Sequence, residues 1–300
     1  MLLNIPNLER DTILAPFTTY KIGGPADLFV EVHAIDELTN AVFEARREGI
    51  PFFLLGCGAN ILVTDKGFRG LVIRNLANRV DFLDNGKVWA ESGTLVADLI
   101  GQCRDRELSG FEHFIDIPST VGGAMWQNLH FLSPDRQRTV FIEEIVHTSH
   151  IFTEEGHFRT VGVKYFQYGY DTSILQVRKD IVLDVTFQLR PKPKEEIQAV
   201  IDANIAWRRT KQPPLAEFPS CGSVFKKIEG IGAGRLIDQA GLKGKRIGGA
   251  EVSRKHANFI VNTGNARAHD VLELIKYIQA EVKNKSGYTL QTEITVIGEL

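Results

Sequence analysis

Apolar and polar positions alternate over 27–32 (Asp27-Leu28-Phe29-Val30-Glu31-Val32), and this predicts a strand entered through the glycine pair Gly23-Gly24. The period then lengthens. Leu38, Val42, Phe43 and Ala45 fall near one face of a helix with Asp36 as N-cap and Gly49 as its stop, before a buried strand over 52–55. A strand over 70–73 follows a small-residue loop. From about residue 80 the texture changes to short alternating strands, including 87–90. A helix over 95–106 is expected to bury Leu95, Leu99, Ile100 and Cys103. Strand-like segments at 142–146, 150–153, 160–163 and 181–189 predict a mainly antiparallel sheet. Arg190-Pro191-Lys192-Pro193 breaks it, and a helix over 194–209 carries the stripe Ile197, Val200, Ile201, Ile205.

After Gln212-Pro213-Pro214 the last part predicts a short helix around 233–237 with a glycine C-cap, and a strand entry over 252–262. A helix over 268–284 follows, burying Val271, Leu272, Ile275, Ile278 and Val282 and stopping at Gly287, and a final strand spans 290–298. These breaks divide the chain into 1–79, 80–212 and 213–300, an α+β architecture in three parts.

Two loops have the chemistry of ligand cradles. Gly56-Cys57-Gly58-Ala59-Asn60-Ile61 follows a buried strand, and bare backbone N–H groups there can hold a pyrophosphate. It does not extend to the six-residue dinucleotide fingerprint, and no long helix follows, so a Rossmann domain is not predicted. Ile117-Pro118-Ser119-Thr120-Val121-Gly122-Gly123 is the second loop, where Pro118 fixes a turn and the two glycines are expected to leave the backbone open.

A third stretch, Pro219-Ser220-Cys221-Gly222-Ser223-Val224-Phe225-Lys226-Lys227, sets a small hydroxyl and two cations on a turn that glycine permits. Between Lys226 and Arg246 stand six basic residues, Lys226, Lys227, Arg235, Lys243, Lys245 and Arg246, against the acids Glu229 and Asp238. The plain alternative is a solvated basic face.

Three hundred residues with 43% hydrophobic content can build a sizeable core, and the net charge of −2 gives no bias toward nucleic acid or anionic membrane. Cys57, Cys103 and Cys221 are too few and too scattered for a disulfide framework or a cysteine zinc site, which fits a reducing cytoplasm. No metal site is expected. The first residues lack a basic-then-apolar leader, and no run is long enough to cross a bilayer.

In their order, several motifs resemble the UDP-N-acetylenolpyruvoylglucosamine reductase family over nearly the whole chain. They are Tyr20-Lys21-Ile22-Gly23-Gly24-Pro25-Ala26, the two glycine loops, Gly222-Ser223-Val224-Phe225-Lys226, Ala240-Gly241-Leu242-Lys243-Gly244, the 253–262 segment and Leu290-Gln291-Thr292-Glu293. The resemblance implies FAD held by two N-terminal subdomains of the vanillyl-alcohol-oxidase type, at Tyr20, Ile22, Gly23, Gly56, Cys57, Gly58, Ala59, Asn60, Ile61, Ile117, Pro118, Ser119, Thr120, Gly122 and Gly123. A C-terminal domain then takes a UDP-sugar, with Lys226 and Lys227 as binding cations. NADPH reduces the flavin, and the enolpyruvyl group is reduced to give UDP-N-acetylmuramate for peptidoglycan, in ping-pong order. By position, Ser223 is the proton donor to the carbon beside the substrate carboxylate, aided by Lys226, and Glu293 stabilises the enolic intermediate, as a buried, protonated Glu would. A monomer is expected, without nucleic acid or membrane insertion.

Two departures stand out. The family's Tyr-Arg-x-Ser pattern reads Tyr170-Asp171-Thr172-Ser173 here, replacing an arginine expected to hold the substrate carboxylate with an acid. Its Asn-Ala-Gly-Ala-Tyr-Gly run reads Asn128-Leu129-His130-Phe131-Leu132-Ser133, followed by Arg136 and Arg138. Compensation is expected from Arg136 or Arg138, pairing with Asp171 or with the carboxylate, against the alternative that both are solvated. The altered loop also admits a flavin oxidase of a sugar or hydroxy acid, or a non-catalytic paralogue that senses flavin or UDP-sugar.

Overall fold

The computed structural model describes residues 3–228 and 230–299, so Glu229 of the basic segment lies outside the described residues. The chain forms two compact units. The first comprises the described part of Met1–Asn7 with Val30–Gly56 and Ile73–Trp207, and the second comprises Leu8–Phe29, Cys57–Val72 and the described part of Arg208–Leu300. The first seventy-nine residues are therefore shared between both units, because the strands Pro25–Val32 and Phe68–Asn75 pass from one to the other.

In the first unit, five antiparallel strands lie in the order Phe158–Gly162, Val146–Phe152, Ile181–Gln188, Lys87–Glu91, Val80–Leu83. Its helices are α1 (Ile35–Arg47), α2 (Val96–Arg104), α3 (Val121–Gln127) and α4 (Lys194–Lys211), the last running on past Trp207. One face of the sheet (Val88, Ala90, Val185, Phe187) shares an apolar core with Val96, Leu99, Ile100 and Cys103 of α2 and Val121, Ala124 and Met125 of α3. Burying each such side chain contributes about 1.5–3 kcal/mol.

Some expectations shift at element ends. Asp36 lies in the first turn of α1, whose N-cap is Ala34, and Phe43 faces solvent. Leu95 is the N-cap residue of α2 and is exposed, not buried. The strand expected over 142–146 begins only at Val146, after the 3-10 turn Ile142–Glu144. The glycine loop at 117–123 contains a helix start that was not foreseen, because Thr120 caps α3 by accepting from the Gly123 N–H at 3.2 Å.

In the second unit, α6 (Ala268–Ser286) packs Val271, Leu274, Ile275, Ile278 and Val282 into a core shared with Leu236 and Ile237 of α5 (Ala233–Gln239). The small sheet Arg246–Ile247, Ala250–Val252, Ile260–Asn262 joins them. Gly287 ends α6 in the left-handed region at φ +77°, as its position after the periodic stretch predicted. At the other end, Asp65 carboxylate oxygens accept from the Ala268 and His269 N–H groups at 2.9 and 3.0 Å, which fixes the loop after Ile61–Val63 to the helix start. The final strand is shorter than expected. Thr295–Ile297 pairs in parallel with Ile61–Val63, while residue 292 sits in an isolated bridge.

Tyr20 is buried in this core, its hydroxyl donating to the Ile260 carbonyl at 2.9 Å and its own carbonyl accepting from Asn262 Nδ2 at 3.0 Å. Burial pushes the phenol far above its usual range, with the Cys221 thiol adding to the shift, so the hydroxyl stays a neutral donor. Tyr20→Phe leaves the Ile260 carbonyl without that donor. The variant is expected to unfold in urea with a free energy lower by roughly 1–2 kcal/mol; an unchanged midpoint refutes the role.

Candidate functional site

In the second unit, a short antiparallel bridge between Phe225 and Thr292 brings the Gly-Ser turn to the chain's last segment. Its hydrogen bonds run from Lys226 N–H to the Gln291 carbonyl at 2.9 Å and from Glu293 N–H to the Val224 carbonyl at 2.8 Å. Ser223 is thus one residue from the carbonyl that holds Glu293. Gly222 makes the approach possible at φ +87°, a conformation that favours glycine. Asn258 clamps the same turn. Its Oδ1 accepts from Phe225 N–H at 3.0 Å, its Nδ2 donates to the Phe225 carbonyl at 2.9 Å, and its own carbonyl accepts from Val224 N–H.

Ser223 and Glu293 are both half-buried, so the fully buried environment expected for Glu293 is not found. The neighbouring Cys221 is buried, and burial raises its thiol well above the ordinary range, with the Glu293 charge adding to it. A thiol held neutral in this way is a poor nucleophile. His256 accepts from Asn258 N–H at Nδ1, and burial lowers its pKa, which makes it a neutral structural imidazole.

The basic segment divides. Lys243 pairs with Asp238 at 2.7 Å, Arg246 with Glu251, and Lys245 lies over the Tyr277 ring at 4.5 Å. Lys226, Lys227 and Arg235 are exposed, and among the described residues their side chains have no partner, so these three remain available to an anion.

The 56–61 loop keeps its cradle. Gly58 stands at φ +62° and Asn60 at φ +56°, and among the described residues the Gly58 and Ala59 N–H groups have no acceptor. Adjacent amides left open on a turn form an anion nest. A Cβ on Gly58 would lie 2.2 Å from the Phe17 carbonyl oxygen, so only glycine fits. The Gly58 carbonyl accepts from Thr19 N–H at 3.0 Å, which ties the loop to the 20–23 segment. Within that segment Tyr20 and Ile22 put their side chains into the core, so neither side chain is open to a ligand.

The corresponding loop of the first unit is built differently. The N–H groups of Val121 and Gly122 are spent on the Thr94 and Ser92 carbonyls at 2.8 and 2.7 Å, and that of Gly123 on Thr120 Oγ1. The open glycine backbone expected at Gly122 and Gly123 is therefore not found, because these glycines begin a helix. Two other features suit a ligand. Gly56 approaches Thr120 so closely that a Cβ would lie 2.7 Å from its Oγ1, and the Thr94 hydroxyl is buried with no hydrogen-bond partner among the described residues. Thr94 carried no signal in the sequence beyond its place in a turn.

Asp171 does not pair with either arginine. Its Oδ1 lies 3.5 Å from His130 Nδ1 and accepts from Gln127 Nε2 at 3.2 Å. Arg138 pairs with Glu144 at 2.9 Å, and Arg136 lies over the Trp207 and Phe131 rings at 5.0 and 5.6 Å. Each arginine has a partner other than Asp171, Glu144 for Arg138 and the Trp207 and Phe131 rings for Arg136, a choice the sequence could not rank. The exposed Tyr170 ring packs against His130 at 4.4 Å between centroids.

A model of the FAD binding domain matches residues 26–162, and one described as "UDP-N-acetylenolpyruvoylglucosamine reductase, C-terminal domain" matches residues 212–297. Together with the amide nest, the first of these defines the class: an FAD-binding oxidoreductase. The UDP-N-acetylenolpyruvoylglucosamine reductase of Shouchella clausii is 37% identical over 97% of this chain and 91% of its own length. That of Caldanaerobacter subterraneus is 40% identical over 94% and 91%. The crystal structure of the Thermus caldophilus enzyme superposes with a TM-score of 0.81 at 34% identity, covering 97% of this chain and 99% of that one. The chain belongs to the UDP-N-acetylenolpyruvoylglucosamine reductase family.

Gly58→Ala is expected to purify without the yellow flavin spectrum, or to hold added FAD at least about tenfold more weakly, since the Cβ closes the nest; full retention of FAD excludes the loop as its cradle. Arg138→Ala removes an exposed pair and is expected to keep turnover within about twofold, and a larger loss would return Arg138 to the substrate site.

Proposed function

We propose that this chain reduces UDP-N-acetylglucosamine enolpyruvate to UDP-N-acetylmuramate, using FAD and NADPH, in the cytoplasmic synthesis of peptidoglycan precursors. The observation that supports the reading is the Phe225–Thr292 bridge, which pairs the backbone of the Gly-Ser turn with that of the 291–293 segment. Bound FAD supplies the hydride, which it has taken from NADPH.

The residues divide the remaining work. Gly58 and Ala59 amides would meet the cofactor's pyrophosphate. Lys226, Lys227 and Arg235 neutralise the diphosphate of the UDP-sugar. Ser223 Oγ delivers a proton to the carbon beside the substrate carboxylate, with Lys226 favouring the oxyanion left behind. Glu293 attends the enolic oxygens. One proton from Ser223 and one hydride saturate the double bond, and solvent reprotonates the serine.

NADPH consumption by the flavin-loaded protein is expected to require the enolpyruvyl substrate. Oxygen uptake on a reduced sugar would favour an oxidase, and a yellow protein inert to both would favour a sensor. Ser223→Ala is expected to lower turnover by about 10²–10⁴-fold while NADPH still bleaches the flavin at the wild-type rate. Normal turnover in this variant removes Ser223 from the chemistry.

A further inference from the structure

The 224–226 segment, which follows Ser223 directly, is hydrogen-bonded along both of its edges within the second unit. On one edge the Val224 carbonyl accepts from Glu293 N–H at 2.8 Å, and Lys226 N–H donates to the Gln291 carbonyl at 2.9 Å. On the other edge Phe225 N–H donates to Asn258 Oδ1 at 3.0 Å, and the Phe225 carbonyl accepts from Asn258 Nδ2 at 2.9 Å. One residue exchanging both of its backbone bonds with one amide is the pattern of a hydrogen-bonded pair in an antiparallel sheet. The Asn258 side chain thus takes the place of a neighbouring strand.

A carboxamide suits this position because it carries a donor and an acceptor on one planar group, as a peptide does. Val224, Phe225 and Asn258 are all buried, so the Phe225 N–H and carbonyl need a partner from the protein. Asn258 itself is fixed by its own backbone. Its carbonyl accepts from Val224 N–H at 2.9 Å, its N–H donates to His256 Nδ1 at 3.2 Å, and Ser253 N–H closes the loop onto the Phe259 carbonyl at 2.8 Å.

The two residues joined by the bridge depend on this amide unequally. Glu293 lies just before Thr295–Ile297, a strand paired with Ile61–Val63 without any help from Asn258. Ser223 has no such second anchor close by. Before it, the Pro219 carbonyl accepts from Asn262 N–H at 2.8 Å, but Gly222 intervenes at φ +87°, where a glycine turns freely. We infer that Asn258 is a positioning residue: its amide, acting as a strand in miniature, holds the Ser223 hydroxyl where it delivers its proton, and serves only that half of the reaction. The inference rests on the Ser223 role proposed above.

Flavin-loaded protein is reduced with NADPH and then mixed with the enolpyruvyl ether of UDP-N-acetylglucosamine, so that each half of turnover is timed separately. Asn258→Ala is expected to slow reoxidation by about tenfold to a hundredfold, the cost of a small misplacement, while bleaching by NADPH stays within about twofold of wild type. In the Ser223→Ala background the same substitution is expected to change reoxidation by less than about twofold, because it acts through the serine. Amide hydrogen exchange at Phe225 is expected to quicken in Asn258→Ala while α6 stays protected. Asn258→Asp keeps the Phe225 N–H bond and serves as the test if the alanine variant fails to fold. Its ionised carboxyl sets a second acceptor against the Phe225 carbonyl, and its protonated form donates there instead, so the reoxidation rate relative to wild type is expected to rise at least about fivefold from about pH 8.5 to about pH 5.5.

Equal slowing of both halves, or a full Asn258→Ala effect that persists without the serine, makes Asn258 a general support of the fold and overturns the inference. Wild-type reoxidation in Asn258→Ala overturns it too, as does a ratio independent of pH in Asn258→Asp. Normal reoxidation in Ser223→Ala sinks the Ser223 reading itself, and this inference with it.

Discussion

A two-hydrogen-bond bridge between the 224–226 and 291–293 segments is the constraint from which the candidate chemistry of the second unit follows. It ties a serine that local sequence places on a turn to a glutamate that local sequence places on a strand. Both residues are half-buried. What distinguishes them is that Asn258, with three hydrogen bonds to the turn, allows the bridge one register.

The glycine loops show how the same residue type serves two ends. Gly58 leaves its amide open because the left-handed backbone points neighbouring N–H groups one way and a Cβ would strike the Phe17 carbonyl. Gly122 and Gly123 have their amides consumed by Ser92 and Thr120, because Thr120 caps a helix just there. One loop therefore offers donors for a phosphate, and the other offers surface and an unsatisfied hydroxyl at Thr94. Charge follows a comparable division: Asp238 and Glu251 pair with Lys243 and Arg246, Lys245 lies over the Tyr277 ring, and among the described residues the cations without a partner are those nearest in sequence to Ser223 or on the short helix α5.

Much of this was legible beforehand. The periodicity of 268–284 led to α6 and Gly287 to its cap, because an amphipathic stripe and a left-handed glycine are local signals. The alternating segments after residue 80 became an antiparallel sheet for the same reason. Leu95 and Phe43 went astray, since helix ends and the edge of a stripe are decided by what packs there. Asp171 was recognised as out of place, but its partner was sought among charged residues of the loop. Arg136 had two aromatic rings to lie on and Arg138 had Glu144, and so the carboxylate was met by His130.

By itself the sequence determined the element types, the family, and which small set of residues was worth watching, because those depend on spacing and on motifs read in order. Tertiary structure alone decided which amides stay open and which cations stay unpaired among the described residues, and which side chain answers Asp171. These are outcomes of competition among partners distant along the chain, and a linear pattern names the competitors without giving the distances that choose between them.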